Sequence, residues 1–337
     1  MTVGATFVRP ARRTDLDGLL ALARQAGLGM TNLPPCGDKL SRLLAASEAL
    51  LERPARTGAQ LVLVLEHEGR VVGTGCVFPA IGVDFPFYSY RISRLRQTSQ
   101  ALGKSMENVL LTPVNEYDGC AEVGGLFLSP DHRHAGAGRL MARSRYLFIA
   151  EHRDWFADRV ISELRGYQDE EGRFPFWEGV AKPFYDMEFA EADRLSVGPG
   201  KQVIADLGPK YPIYLNLLPP EAAKAVGACH PDGRRAKALL EEEGFRFEGC
   251  IDIFDGGPTL AADIDQLKAV RERRTSRVAG VESYEEGHDL LVSKGSGEAF
   301  RAARGRCAPS SEGLVVSPEL AEALQISKGD EVRHVAF

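Results

Sequence analysis

The residues most able to do chemistry sit in one short segment. Arg133-x-x-Gly136-x-Gly138 follows a strand-like run, Glu122–Leu128 (EVGGLFL), that Ser129-Pro130-Asp131 breaks, and it leads into a helical pattern over Arg139–Arg153. A helix start exposes unpartnered N–H groups and the positive end of the helix dipole, so it binds phosphate well. Glycines at such a turn carry no Cβ and let the backbone approach a pyrophosphate, and an arginine adds charge. The competing reading is an ordinary glycine-rich strand-to-helix turn. A dinucleotide fingerprint fits less well, because the pattern is not G-x-G-x-x-G and does not follow the first strand.

A second candidate is His230, in Gly227-Ala-Cys-His-Pro231. Histidine titrates near neutrality and can give or take a proton, although by its neighbours alone His230 reads as a surface or hydrogen-bonded residue. Cys229 precedes it, but adjacent residues rarely point at each other, so a Cys–His nucleophile is not indicated. Tyr185 reads by itself as a packed amphipathic ring. His132 and His134 either add hydrogen bonds to a phosphate or are solvated loop residues.

These residues need elements to position them. Thr6–Pro10 is β-like, and Asp15 opens an amphipathic helix with Leu16, Leu19, Leu20 and Leu22 that ends near Gly27, before a turn-rich loop at Gly29–Pro35. Lys39–Leu51 has helical spacing. Two β-rich runs, 60–67 and 71–79, flank a short turn and predict a hairpin. Strand-like pieces follow at Phe87–Ile92 and Asn108–Val114, then a strand at Val160–Leu164 and a helix at Phe176–Tyr185. Alternation of this kind means a mixed sheet flanked by helices, an α+β fold. Arg235–Glu243 predicts a helix running into a strand at Arg246–Phe254, and Pro183–Phe189 gives a similar corner, so an internal duplication is one reading. Beyond Pro258 the pattern predicts a charged helix at Asp263–Ser276, a Gly/Ser/Arg-rich stretch at Gly297–Ser311, and strand, short helix and strand to the end. The division expected is 1–190, 191–262 carrying His230, and a small β-rich segment, 263–337.

Composition narrows the classes. The 337 residues hold 41 Lys+Arg against 47 Asp+Glu, a net charge of −6, which gives no electrostatic reason to expect nucleic acid or an anionic membrane as partner. The longest apolar runs, such as Leu61–Leu65, fall far short of the roughly 20 residues a membrane span needs. Six scattered cysteines without a C-x-x-C pair argue against a zinc site or a disulfide scaffold and fit the reduced thiols of a cytoplasm. No metal site is expected.

The order strand, helix, hairpin, strand, R-x-x-G-x-G, helix, strand, helix resembles the GCN5-related N-acetyltransferase superfamily. The strings FLSPDHR (127–133), RSRYLFIAEHR (143–153), ELRG (163–166), PFWEG (175–179), FAEADRL (189–195), HPD (230–232), EEGFRF (242–247) and IDIFDGGPTL (251–260) are similar to one branch, the arginine N-succinyltransferase family, which includes arginine/ornithine succinyltransferase subunits. The similarity spans nearly the whole chain.

That resemblance implies transfer of succinyl from succinyl-CoA to the α-amine of L-arginine, or of ornithine, in arginine catabolism. It places phosphate binding on Arg133, Gly136, Ala137 and Gly138, and the pantetheine arm on Leu126, Phe127 and Leu128, with Leu126 the strand contact to succinyl-CoA. It makes His230 the catalytic proton donor, and the superfamily resemblance puts Tyr185 at the corner where many members carry a thiolate-protonating Tyr, against its reading as a packed ring. Thr31, Asn32, Glu163, Arg165, Asp252 and Asp255 become candidates for holding the amino acid. No permanently bound cofactor is implied, and the partners are small molecules plus an identical or related chain. Two departures bear on acyl-chain length. The loop reads RHAGAG where relatives usually carry an acidic residue and Asn, and Gly124-Gly125 stand where bulkier or polar residues are expected. Acetyl-CoA with another basic amino acid, or a non-catalytic partner subunit, are the competing functions. Because the chain is net negative, local positive potential at Arg133 and its helix must steer an anionic donor.

Overall fold

The computed structural model describes residues 5–26, 30–195, 201–283 and 287–337. The expected helix end at Gly27 and the first residue of the Gly29–Pro35 loop lie outside the described residues. In chain order the first half contains β1 (Thr6–Pro10), α1 (Leu16–Ala26), α2 (Gly37–Glu52), β2 (Leu61–His67), β3 (Arg70–Phe78), β4 (Ser89–Ser99), β5 (Lys104–Val114), β6 (Ala121–Leu128) and α3 (Ala137–Glu151). Next come β7 (Arg159–Glu163), α4 (Lys182–Tyr185), α5 (Phe189–Leu195), α6 (Lys201–Leu207), β8 (Ile213–Tyr214), α7 (Pro220–Ala225), α8 (Arg234–Glu243), β9 (Arg246–Asp252) and β10 (Pro258–Asp263). The last stretch holds α9 (Lys268–Arg271), β11 (Arg274–Val281), β12 (His288–Lys294), β13 (Arg301–Ser310), β14 (Gly313–Val316), α10 (Pro318–Leu324) and β15 (Glu331–Ala336). The expected α+β class is the observed one.

The chain forms two compact units, and neither is continuous in sequence. One comprises 1–80, 121–158 and 263–337, the other 81–120 and 159–262. The stretch 1–190 is therefore shared between both, 191–262 belongs to the second, and 263–337 to the first. Sequence-contiguous division misses this because 81–120 leaves and re-enters the first unit between two of its strands.

In the first unit, β1, β2, β3 and β6 pair antiparallel in that order. The β2–β3 turn uses Glu68 and Gly69 at φ of 50° and 74°, the left-handed pair whose twist suits a two-residue hairpin. Leu61–Leu65 of β2 are all buried, as in a strand covered on both faces. Asp15 is no simple helix start, since it makes two hydrogen bonds to the buried Arg9, at 2.7 and 2.8 Å. The last five strands close on themselves in the order β12–β15–β11–β14–β13–β12, a small barrel without free edges. Its core includes Val278, Val292, Cys307, Val316, Leu320 and Val332. α3 packs against β3 and β6 and against β12 and β13, which explains why every residue from Leu140 to Ala150 is buried.

The barrel corrects one expectation and assigns a stretch that composition left unassigned. The charged helix over 263–276 shrinks to α9, because Arg274–Arg277 pair with β15 as a strand whose polar side chains face out. The Gly/Ser/Arg-rich stretch at 297–311 is largely β13, which buries Ala302, Ala303 and Cys307 between its arginines.

The second unit orders its strands β7–β10–β9–β4–β5–β8. β4 and β5 pair along all eleven residues each. The sequence marks only their inner ends, because the outer ends (Arg94, Arg96, Lys104, Glu107) are exposed and lack an apolar alternation. The helix–strand corner at Gly244 (φ 117°) is as expected, but Asp186 (φ 49°) ends α4 and the chain then enters α5. The second corner is thus helix to helix. Phe176 and Val180 pack with Tyr90, Leu111 and Ile251, while Phe174, Trp177 and Tyr185 form a neighbouring aromatic cluster.

Candidate active site

On the first unit, β6 carries a β-bulge. Phe127 pairs with Thr74 and Gly124 with Cys76, so Gly125 and Leu126 together face the single residue Gly75. Gly125 adopts φ +57°, and a Cβ there would sit 3.0 Å from Cys76 Sγ and 3.3 Å from Asn32 Cβ. That is the physical reason for glycine at a position where a bulkier residue was expected. A bulge interrupts the ladder and leaves backbone groups of β6 free for a ligand.

The strand then turns through Ala135 (φ 51°) and Gly136 (φ 83°) into α3. Gly136 is the N-cap and has no side chain to satisfy the first N–H groups, and no acidic residue occupies the first turn. A Cβ on Gly138 would touch only Leu128 Cδ1, at 3.7 Å, so the protein's own packing does not demand glycine there. Arg133 folds back on the strand. Its Nε donates to the Leu128 carbonyl at 3.1 Å and its guanidinium lies 5.3 Å from the Phe127 ring centre. The loop is held from the barrel: Arg304 donates from Nη1 to the Ala135 carbonyl at 2.7 Å, is paired with Asp289, and lies over Phe337. His132 and His134 stack at 6.3 Å beside this turn.

On the second unit, His230 follows Cys229, which bridges to Gly166, and the His230 N–H donates to the Arg165 carbonyl at 2.8 Å. The Asp232 N–H donates to His230 Nδ1 at 3.2 Å, so the neutral imidazole carries its proton on Nε2. Burial, and next the charge of Arg165, push the His230 pKa below its ordinary value, with exposed Asp232 opposing. Arg165 donates from Nη2 to Gln168 Oε1, lies 5.5 Å from the Phe174 ring centre, and has a buried Nε without a partner.

Asp255 accepts hydrogen bonds from Gly166 N–H (2.7 Å) and Gly257 N–H (2.8 Å). Asp252 accepts from the Phe254 and Asp255 N–H groups, both at 2.7 Å. Burial and the charge of Asp252 hold Asp255 well above the ordinary carboxylate range.

The structure brings Leu126, Phe127, Leu128, Arg133, Gly136, Ala137 and Gly138 together on one unit, and places His230 on the other. Asn32 lies at the bulge, and Arg165 beside His230. Both oxygens of Asp255 and Oδ1 of Asp252 accept from backbone N–H groups, so these carboxyls hold the local backbone. Tyr185 is a packed ring in the Trp177–Phe254 cluster whose pKa burial pushes up to about 12. Burial likewise raises the Cys229 thiol. Sequence reasoning missed Arg145 and Arg304; for Arg145 the available signal was an arginine on the sheet-facing side of an otherwise covered helix. Among the described residues no group of three or more His, Cys, Asp or Glu could hold a metal ion, and no helix is long and apolar enough to cross a membrane.

The family model described as arginine N-succinyltransferase beta subunit matches residues 6–269, and that of its C-terminal domain matches 274–336. An arginine N-succinyltransferase of Yersinia pseudotuberculosis is 39% identical over 344 residues, covering 98% of this chain and 97% of its own. The arginine N-succinyltransferase subunit beta of Pseudomonas aeruginosa is 38% identical, covering 98% and 97%. The solved structure of arginine/ornithine succinyltransferase subunit AI from Pseudomonas aeruginosa superposes with a TM-score of 0.88 at 32% identity, covering 99% of each chain. Matched along nearly its whole length, the chain belongs to the arginine N-succinyltransferase beta subunit family.

Proposed function

We propose that the protein is an acyltransferase that moves the succinyl group of succinyl-CoA to the α-amine of L-arginine, with ornithine as the related acceptor. The observation that carries this reading is the bulge at Gly125 leading into an N-terminus of α3 that no side chain caps, in a chain of this family. The backbone N–H of Gly138, with Arg133, holds the pyrophosphate, while the Ala137 N–H is already given to the His134 carbonyl at 3.0 Å. Leu126, Phe127 and Leu128 hold the pantetheine arm, and N–H groups at the bulge receive the oxyanion.

As the amine attacks, a C–N bond forms and the tetrahedral oxyanion develops; its collapse breaks the C–S bond. One proton leaves nitrogen and one arrives at sulfur. His230 takes up the former, and the imidazolium so formed gives the latter to sulfur from Nε2. Arg165, beside His230, offers its free donors to the α-carboxylate of the amino acid. The same reading makes the protein cytoplasmic and a member of an oligomer with an identical or related chain, in keeping with the relatives named as subunits.

Thiol release from succinyl-CoA or acetyl-CoA, tested against a panel of basic amino acids, decides among the readings. Turnover is expected with succinyl-CoA plus arginine or ornithine, and its absence there overturns the proposal. Activity confined to acetyl-CoA selects a different acyl donor. Silence with both thioesters, relieved by a related chain, selects a partner subunit.

Two variants test the parts. Gly138→Asp puts a carboxylate in the first turn of α3, where it favours the helix dipole but repels a diphosphate. The expected result is a KM for the thioester raised about tenfold with an undiminished Tm. Arg165→Met removes a positive charge beside His230, so its pKa moves back toward the ordinary value. The acidic limb of kcat/KM is then expected at higher pH than in the wild type; an unmoved limb would assign that limb to another group.

A further inference from the structure

Arg145, on α3, is 4% exposed, yet among the described residues no carboxylate pairs with it. Its Nη1 donates to the Gly124 carbonyl at 3.2 Å, its Nε contacts Ala142 O of its own helix at 3.4 Å, and its guanidinium lies 5.9 Å from the Tyr146 ring centre. Burial opposes its charge, and only neutral groups offset that. Elsewhere in the same unit, buried Arg9 is met by two carboxylates, Asp15 and Glu66, each at 2.7 Å. An unpaired buried guanidinium is costly, so its retention calls for an anion that arrives with a ligand. Room is left for this side chain by Gly75, where a Cβ would come within 3.2 Å of Arg145 Cδ.

The location names the anion. Gly124 immediately precedes the bulge, two residues before Leu126, a separation of roughly 7 Å along a strand. In a succinyl thioester three C–C bonds separate the reacting carbonyl carbon from the terminal carboxylate carbon, a reach of roughly 4 Å. A thioester held at the bulge thus brings its terminal carboxylate within range of a guanidinium anchored at Gly124. We propose that Arg145 determines the acyl donor by receiving the terminal carboxylate of the succinyl group, a negative charge that acetyl thioesters lack. This deepens the donor-site reading and rests on it.

The test uses the full chain with Arg145→Met, which keeps volume and removes charge, and Arg145→Lys, which keeps charge. Arg145→Met is expected to lower kcat/KM for succinyl-CoA at least roughly a hundredfold, as when a buried charge pair loses one partner. Acetyl-CoA turnover and the Kd of free CoA should stay within about threefold of wild type, and Arg145→Lys should retain most succinyl-CoA activity. If acetyl-CoA is not a substrate, the readout is the ratio of the Kd values of CoA and succinyl-CoA, which Arg145→Met should bring close to one. The Tm of the free protein should rise in Arg145→Met, because an uncompensated buried charge has gone; a merely structural arginine would give a fall. An equal loss with both thioesters, or an unchanged Kd ratio, overturns the proposal. The donor-site reading fails separately, if wild type does not bind CoA or if Gly138→Asp leaves CoA binding unchanged.

Discussion

Replacing His230 by alanine is expected to lower kcat at least roughly a hundredfold, the scale of general acid–base catalysis, with much less effect on KM for either substrate. The expectation follows from three features. The backbone fixes the residue through its N–H to Arg165 and through Asp232 N–H to Nδ1, so Nε2 alone carries the transferable proton. Burial, and next Arg165, lower the pKa of the ring, so its imidazolium gives up a proton more readily. An expelled CoA thiolate needs a proton before it can leave cleanly. His230→Ala removes an acceptor for one N–H in a partly exposed turn, so Tm should change little. Rates within a few-fold of wild type would transfer the proton donation to water, since Tyr185 is enclosed by its aromatic neighbours.

Asp255→Ala is expected to destabilise the second unit by about 2–6 kcal/mol, because two buried N–H groups, of Gly166 and Gly257, lose their acceptor at about 1–3 kcal/mol each. The surroundings are tight: a Cβ on Gly257 would collide with the Leu164 carbonyl. Gly166 bridges Cys229, so loosening it also misplaces His230, and activity should fall with stability. Asp255→Asn keeps one acceptor and should lie between wild type and Asp255→Ala in chemical denaturation. The pH dependence has a definite sign. Asp255 has a folded pKa well above its unfolded value, so its contribution is fully present below the ordinary carboxylate pKa, about 4, and is lost as pH rises through the folded value. The stability advantage of wild type over Asp255→Asn should therefore shrink as pH rises. An advantage that grows instead would mean Asp255 is held as a carboxylate.

Legibility followed locality. The 60–79 hairpin, the strand–loop–helix around Arg133 and the helix–strand corner at Gly244 are each specified by residues a few positions apart, through alternation, helical spacing and residues able to take positive φ. Where side chains face water, as along the outer halves of β4 and β5 or in β11, periodicity vanishes and the strands went unread. β13 was hidden for another reason: its glycine and arginines mimic a loop, and only the barrel shows that alanines between them are core.

The same division holds at the site. The phosphate loop and the His-Pro turn were visible as residues, because glycine, arginine and histidine declare their chemistry by type and spacing. What each side chain is paired with was not visible. Arg304 reaches Ala135 across 169 positions and Asp255 reaches Gly166 across 89. Nor does chain order show that Asp255 and Oδ1 of Asp252 hold backbone N–H groups, or that Arg145 lacks a counter-ion. Sequence alone determined the local elements, the loop and the membership of a family. Tertiary structure decided which charges are satisfied and which are left for a ligand, because the cost of a buried charge is set by neighbours that chain order does not reveal.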